Sequence, residues 1–154
     1  MDSEYTEHPG ILIEDLEIGM SVVTEKTIGE SDVYLFSGIT GDFSANHINE
    51  RYMQATHYGH RLAQAALMVG LTSGAGAVFS AKYRMHAVSL GYDRLRFIAP
   101  VFIGDTIRVS YTLDRLDVPK SRAYMALELA NQEGTVVMVG HHLLKVLPYD
   151  PSGR

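Results

Sequence analysis

Apolar residues recur at every second position over residues 106–116, where Ile107, Val109, Tyr111 and Leu113 fall on one face. This is the period of a half-buried β-strand. Further strands are predicted over 20–28, 88–98, 122–131 and 135–147, all rich in β-branched or alternating apolar residues. In 88–98 the alternation sets Leu95 and Phe97 on one face and Arg94 and Arg96 on the other. Turns separate the strands at Ala99-Pro100, Ile103-Gly104-Asp105, Asp117-Val118-Pro119-Lys120 and Glu133-Gly134.

Residues 62–81 follow another pattern. The run carries no charge and is apolar all round, as expected of a helix at the centre of a domain. Gln64, Thr72, Ser73, Ser80 and Gly70, Gly74 and Gly76 dilute its hydrophobicity, which favours a soluble core over a membrane span. Each glycine costs roughly 1 kcal/mol against alanine in a helix interior, so packing must offset them or the helix ends near Ser73. Its small side chains would let a sheet wrap closely around it. Two short helices are predicted before it. One is capped by Ser31, carries Val33, Leu35 and Phe36 inward and ends near Gly38. The other covers 49–57, with Tyr52, Met53 and Ala55 available for packing. Residues 1–14 read as an N-terminal arm, broken at Pro9-Gly10, with an extended piece at 11–13; residues 148–154 read as a tail. The order is one strand, small helices, one long helix and four consecutive antiparallel strands, an α+β layout in a single domain.

Composition narrows the function. Lys and Arg number 13 against 18 Asp and Glu, for a net charge of −5, a poor surface for nucleic acid. There is no cysteine, which excludes disulfides, thiolate metal sites and a thiol nucleophile. The first residues, Met1-Asp2-Ser3-Glu4-Tyr5-Thr6-Glu7, are acidic without an apolar core, so no signal peptide is expected and a cytoplasmic location follows by default.

The candidate chemistry lies in Thr40-Gly41-Asp42-Phe43-Ser44-Ala45-Asn46-His47. Asp42 and His47 are five residues apart and would point about 140° apart on a regular helix. They converge only through an irregular turn, which Gly41 and the Asp, Ser and Asn content favour. A carboxylate and an imidazole on one side of a small pocket can share the proton transfers of one water. The plainer reading is that Asp42 pins a turn and His47 is a surface histidine. His57 and His60 share a helical face only if Gly59 does not break it, and no carboxylate cluster accompanies them, so no metal site is expected. His141 and His142 face opposite ways on a strand and cannot serve one site.

Three segments in order resemble the MaoC-like hydratases, the (R)-specific enoyl-CoA hydratases of the hot-dog fold: Ser37-Gly38-Ile39-Thr40-Gly41-Asp42 with His47; Gly59-His60-Arg61-Leu62-Ala63-Gln64-Ala65 with Ser73; and Leu95-Arg96-Phe97-Ile98-Ala99-Pro100-Val101-Phe102-Ile103-Gly104-Asp105-Thr106. The resemblance covers roughly residues 15–147. It implies an antiparallel sheet wrapped round one central apolar helix, and a homodimer with its sheets joined edge to edge. It implies an acyl-CoA thioester as substrate and no other cofactor. Asp42 and His47 would hold the water, and the Ala65 N–H would receive the thioester oxygen. Gln64 and Ser73 would contact substrate, and Arg94 and Arg96 would grip the phosphates of coenzyme A. The plain alternatives are that Gln64 caps the helix, that Ser73 bonds its own backbone, and that both arginines lie on a solvated strand face. The chain departs from the resemblance at Ser44-Ala45, where the family usually has Asn-Pro, and at Gln64-Ala65, where it usually has His-Gly. Two other functions stay open: a hot-dog acyl-CoA thioesterase, and a non-catalytic acyl-CoA-binding or partner subunit.

Overall fold

The computed structural model describes residues 10–148. In chain order the elements are strand β1 (Ser21–Thr27), helices α1 (Glu30–Thr40), α2 (Ala45–Ile48), α3 (Glu50–Gln54) and α4 (Ala65–Tyr83), then strands β2 (Ala87–Phe97), β3 (Thr106–Asp117), β4 (Arg122–Ala130) and β5 (Val136–Val146). The strands form one antiparallel sheet in the order β1-β3-β4-β5-β2. Period-2 patterning fixes which face is buried. Ile107, Val109, Tyr111 and Leu113 of β3 are all buried, as are Ala123, Met125, Leu127 and Leu129 of β4.

Helix α4 lies on that inner face. Met68, Thr72, Ala75 and Phe79 form its buried stripe at helical spacing. The expectation of a helix buried all round is corrected here: Val78 is 46% exposed, and Ala65, Ala66, Ser73, Gly74 and Ala77 are exposed too. One sheet covers one stripe, and small residues occupy the rest. The helix also starts and ends later than 62–81. It runs unbroken through its glycines, because Gly70 and Gly74 lie away from the sheet and Gly76 admits the Tyr111 ring, whose hydroxyl would stand 3.4 Å from a Cβ there. Its length and hydropathy would suffice for a membrane span, but its Phe79 stripe is spent on the sheet.

Other expectations shift. Helix α1 is capped by Gly29 rather than Ser31, with Asp32 Oδ2 accepting from Gly29 N–H at 2.8 Å, and it ends at Gly41 rather than near Gly38. Val33 is buried, whereas Leu35 is 66% exposed. The predicted 49–57 helix becomes α2 and α3, with Asn49 capping α3; Met53 packs, while Tyr52 and Ala55 are exposed. Part of the expected arm is built into the domain: Ile13 is buried and begins a 3₁₀ turn, Ile13–Asp15, instead of continuing the extended piece, and Ile11 N–H bonds Arg84 O at 3.0 Å. The remainder of the arm, 1–9, and the tail beyond Pro148 lie outside the described residues.

Candidate active site

The turn between α1 and α2 brings the acid and the imidazole together. Gly41 adopts φ 79°, the left-handed conformation that glycine tolerates, and its N–H closes α1 on Ser37 O. The chain then reverses into α2, which carries His47. Asp42 Oδ2 stands 3.5 Å from His47 Nε2. The two are unlike in exposure: the Asp42 side chain is 39% exposed and that of His47 is 9%.

Each side chain has one atom held on its far side and one turned toward the other. His47 Nδ1 is 2.7 Å from Leu62 O. A backbone carbonyl only accepts, so Nδ1 carries the ring proton and a neutral ring leaves Nε2 bare. Asp42 Oδ1 accepts from Ser44 Oγ at 2.5 Å and from Ser44 N–H at 3.2 Å. The Ser44 hydroxyl, then its amide, hold the Asp42 carboxyl below the usual carboxylate range. Oδ2 remains free to face the ring. Segment 60–63 is anchored beneath the pair. Leu62 N–H donates to Asn46 O at 2.9 Å, Ala63 N–H donates to Val101 O at 2.8 Å, and Arg61 ion-pairs with both Glu30 of α1 and Glu50 of α3.

Asp42 and His47 both border a cavity of about 500 Å³, a volume suited to a small organic ligand. Asp42, Asn46, His47 and Gln64 make its polar side; Met68, Phe97, Ile98 and Val101 make its apolar wall; and Ala65 and Ala66, the first residues of α4, form its end. First-turn N–H groups have no acceptor within a helix, and the helix dipole favours negative charge there. Gln64 is 1% exposed. Its Nε2 donates to Ser37 Oγ at 2.9 Å and to Val33 O at 3.3 Å, which leaves Oε1 as a buried acceptor with no partner among the described residues.

The structure therefore gathers Asp42, His47, Gln64 and Ala65. It does not bring Ser73, Arg94 or Arg96 to this cavity. Ser73 sits on the exposed side of α4. A register shift in β2 between Asp93 and Arg96 breaks the alternation read from the sequence. Arg94 takes φ 53° there and borders a separate hollow with Asp114, Tyr124 and His141. Arg96 is exposed and donates to Leu95 O at 2.8 Å. Phe97 is 51% exposed and helps wall the cavity. His60 pairs with Glu50 at 2.7 Å and the His57 ring lies tilted against Tyr58, so neither joins Asp42 and His47; no three potential metal ligands are gathered among the described residues. Sequence reasoning passed over Asn46, whose Nδ2 lies 3.2 Å from His47 Nε2. Its place directly before the histidine was the available signal.

A single antiparallel sheet of this order with one long helix on its inner face, and a polar pocket at that helix's start, defines the hot-dog class of α+β proteins. The MaoC like domain family model matches residues 15–131, and the chain belongs to that family. It is 35% identical to the (R)-specific enoyl-CoA hydratase of Rhodospirillum rubrum over 133 residues, 86% of this chain and 90% of that one. It is 33% identical to the 3-hydroxybutyryl-CoA dehydratase of Methylorubrum extorquens over 144 residues, 88% and 84% of the two chains. Among solved structures it resembles the unliganded R-hydratase PhaJ1 of Pseudomonas aeruginosa, with a TM-score of 0.78 and 28% identity over 91% of this chain and 88% of that one.

Proposed function

We propose that the chain adds water across the C2=C3 bond of a 2-enoyl-CoA to give an (R)-3-hydroxyacyl-CoA, and catalyses the reverse dehydration. The observation that carries this reading is the 3.5 Å approach of Asp42 Oδ2 to His47 Nε2 at a cavity that ends on the first turn of α4. With Nδ1 protonated and the carboxyl ionised, both facing atoms are acceptors. A water between them donates one hydrogen to each, and its oxygen lone pair is free to attack C3. As the C3–O bond forms, the π electrons move toward the thioester carbonyl, whose oxygen takes hydrogen bonds from Ala65 N–H. One water proton reaches C2 through the Asp–His pair; the other stays on the new hydroxyl. The names of the two relatives support this chemistry, and the first supports the (R) product. Gln64 contributes by fixing the start of α4 against α1 through its Nε2 bonds to Ser37 and Val33.

A second copy would complete the molecule. Strand β2 is a sheet edge, with Val88 and Leu90 48% and 50% exposed, and an edge of unpaired backbone and apolar side chains is a template for pairing. The chain forms a homodimer through β2 in this reading.

The test is hydration of crotonyl-CoA or a branched analogue, followed by loss of the conjugated thioester absorbance. Asp42→Asn and His47→Gln are each expected to lower kcat/KM by at least about a hundredfold while folding is kept. Wild-type-like rates in either variant refute the assignment. Release of free thiol instead of loss of the enoyl absorbance indicates a thioesterase.

A further inference from the structure

In the hydration reading, the Asp–His pair grips a water by its hydrogens and leaves its oxygen unheld. His47 Nε2 and Asp42 Oδ2 are both acceptors, because Leu62 O claims the ring proton at Nδ1 and Ser44 occupies Oδ1. A water donating to both can still swing about the line between them, and its attacking lone pair then has no fixed direction. A donor to the oxygen would set that direction.

Asn46 places such a donor at the site. Its Nδ2 is 3.2 Å from His47 Nε2 and it borders the same cavity. Its backbone is held in α2, with Asn46 O bonded to Leu62 N–H, so the amide approaches the ring from a fixed base. The NH₂ end faces the ring, because a bare Nε2 only accepts. A ring nitrogen has one lone pair. A water that donates to Nε2 must therefore take the place of the amide N–H, and that N–H then meets the oxygen of the water that displaced it.

We propose that Asn46 is a third catalytic group: its amide N–H occupies the His47 lone pair in the empty site and, in the loaded site, donates to the oxygen that bonds to C3. Resting on the hydration reading, this assigns the direction of attack to a residue outside the Asp–His pair. In the reverse reaction the same N–H holds the departing 3-hydroxyl oxygen.

Asn46→Leu keeps the shape and removes the amide. For crotonyl-CoA hydration it is expected to lower kcat by about tenfold to a hundredfold with KM changed less than about threefold, the mark of a contact strongest in the transition state. Asn46→Ser, which keeps a donor with shorter reach, is expected to fall between Asn46→Leu and wild type. Imidazole ¹⁵N spectra of the free protein give a readout independent of turnover: in Asn46→Leu the Nε2 resonance should move and the protonated Nδ1 resonance should stay. Undiminished kcat in Asn46→Leu, with an active wild type, overturns the role of Asn46 alone. A shifted Nδ1 resonance also overturns it, since the ring itself would then have moved. A wild type that hydrates no enoyl-CoA sinks the hydration reading and this role together, whatever the spectra show.

Discussion

Asp42 uses its two oxygens for different tasks, and a single serine makes the division. Ser44 Oγ and N–H both donate to Oδ1, which fixes the carboxylate rotamer and favours the ionised form. Removing the hydroxyl weakens that preference, so Ser44→Ala should raise the Asp42 titration and carry the acid limb of the kcat/KM profile upward. The measurable outcome is a larger drop in rate between about pH 8 and about pH 5 for Ser44→Ala than for wild type; superimposable profiles would show that Ser44 does not set the state of Asp42. At this scale the sequence was informative where chemistry is local. The turn residues around Gly41 announced that Asp42 and His47 could meet. The pinning of Nδ1 by Leu62, fifteen residues away, is not a local property and was not legible; the amide of Asn46 on Nε2 is a contact between neighbours in the chain, and only the direction of the two side chains was missing from the sequence.

At the scale of elements, a buried polar chain ties the sheet to the helix. His142 of β5 bonds Tyr111 of β3 at 2.8 Å and Ser89 of β2 at 2.9 Å; Tyr92 stacks on its ring at 4.3 Å and reaches Thr72 of α4 at 3.2 Å. Burial lowers the His142 titration below that of a free imidazole, and it raises that of the Tyr111 phenol. The sign of the consequence follows. Between the two His142 values the unfolded chain holds a proton that the native chain refuses, so this contribution to stability is complete above the ordinary imidazole value of about 6.5 and is lost as pH falls through the native one. Urea unfolding at a series of pH values should show stability declining below about pH 6.5, with a shallower decline in His142→Gln; equal slopes would remove His142 from the account. The sequence placed His141 and His142 on opposite faces correctly, and it drew β3 correctly, because alternation is a direct image of the pleat. It misread β2, where a register shift re-aims Arg94 and Arg96, since a bulge adds a residue without changing the apolar pattern.

For the whole molecule, the proposed dimer would form at β2, a sheet edge that exposes Val88 and Leu90. A charge there should oppose pairing, so the wild type is expected to sediment as a dimer and Leu90→Lys as a monomer; a dimeric variant would place the interface elsewhere. The sequence by itself determined the class of the fold, the long helix followed by four strands, and the acid and imidazole of the site. These follow from apolar periodicity and turn chemistry, which act between near neighbours along the chain. Tertiary structure alone decided that α4 buries one stripe and not its whole surface, that the ring proton sits on Nδ1, and that Ser73, Arg94 and Arg96 stay outside the cavity while Asn46 enters it. Those outcomes depend on contacts between residues far apart in the chain, and the pattern along one segment carries no record of what will face it.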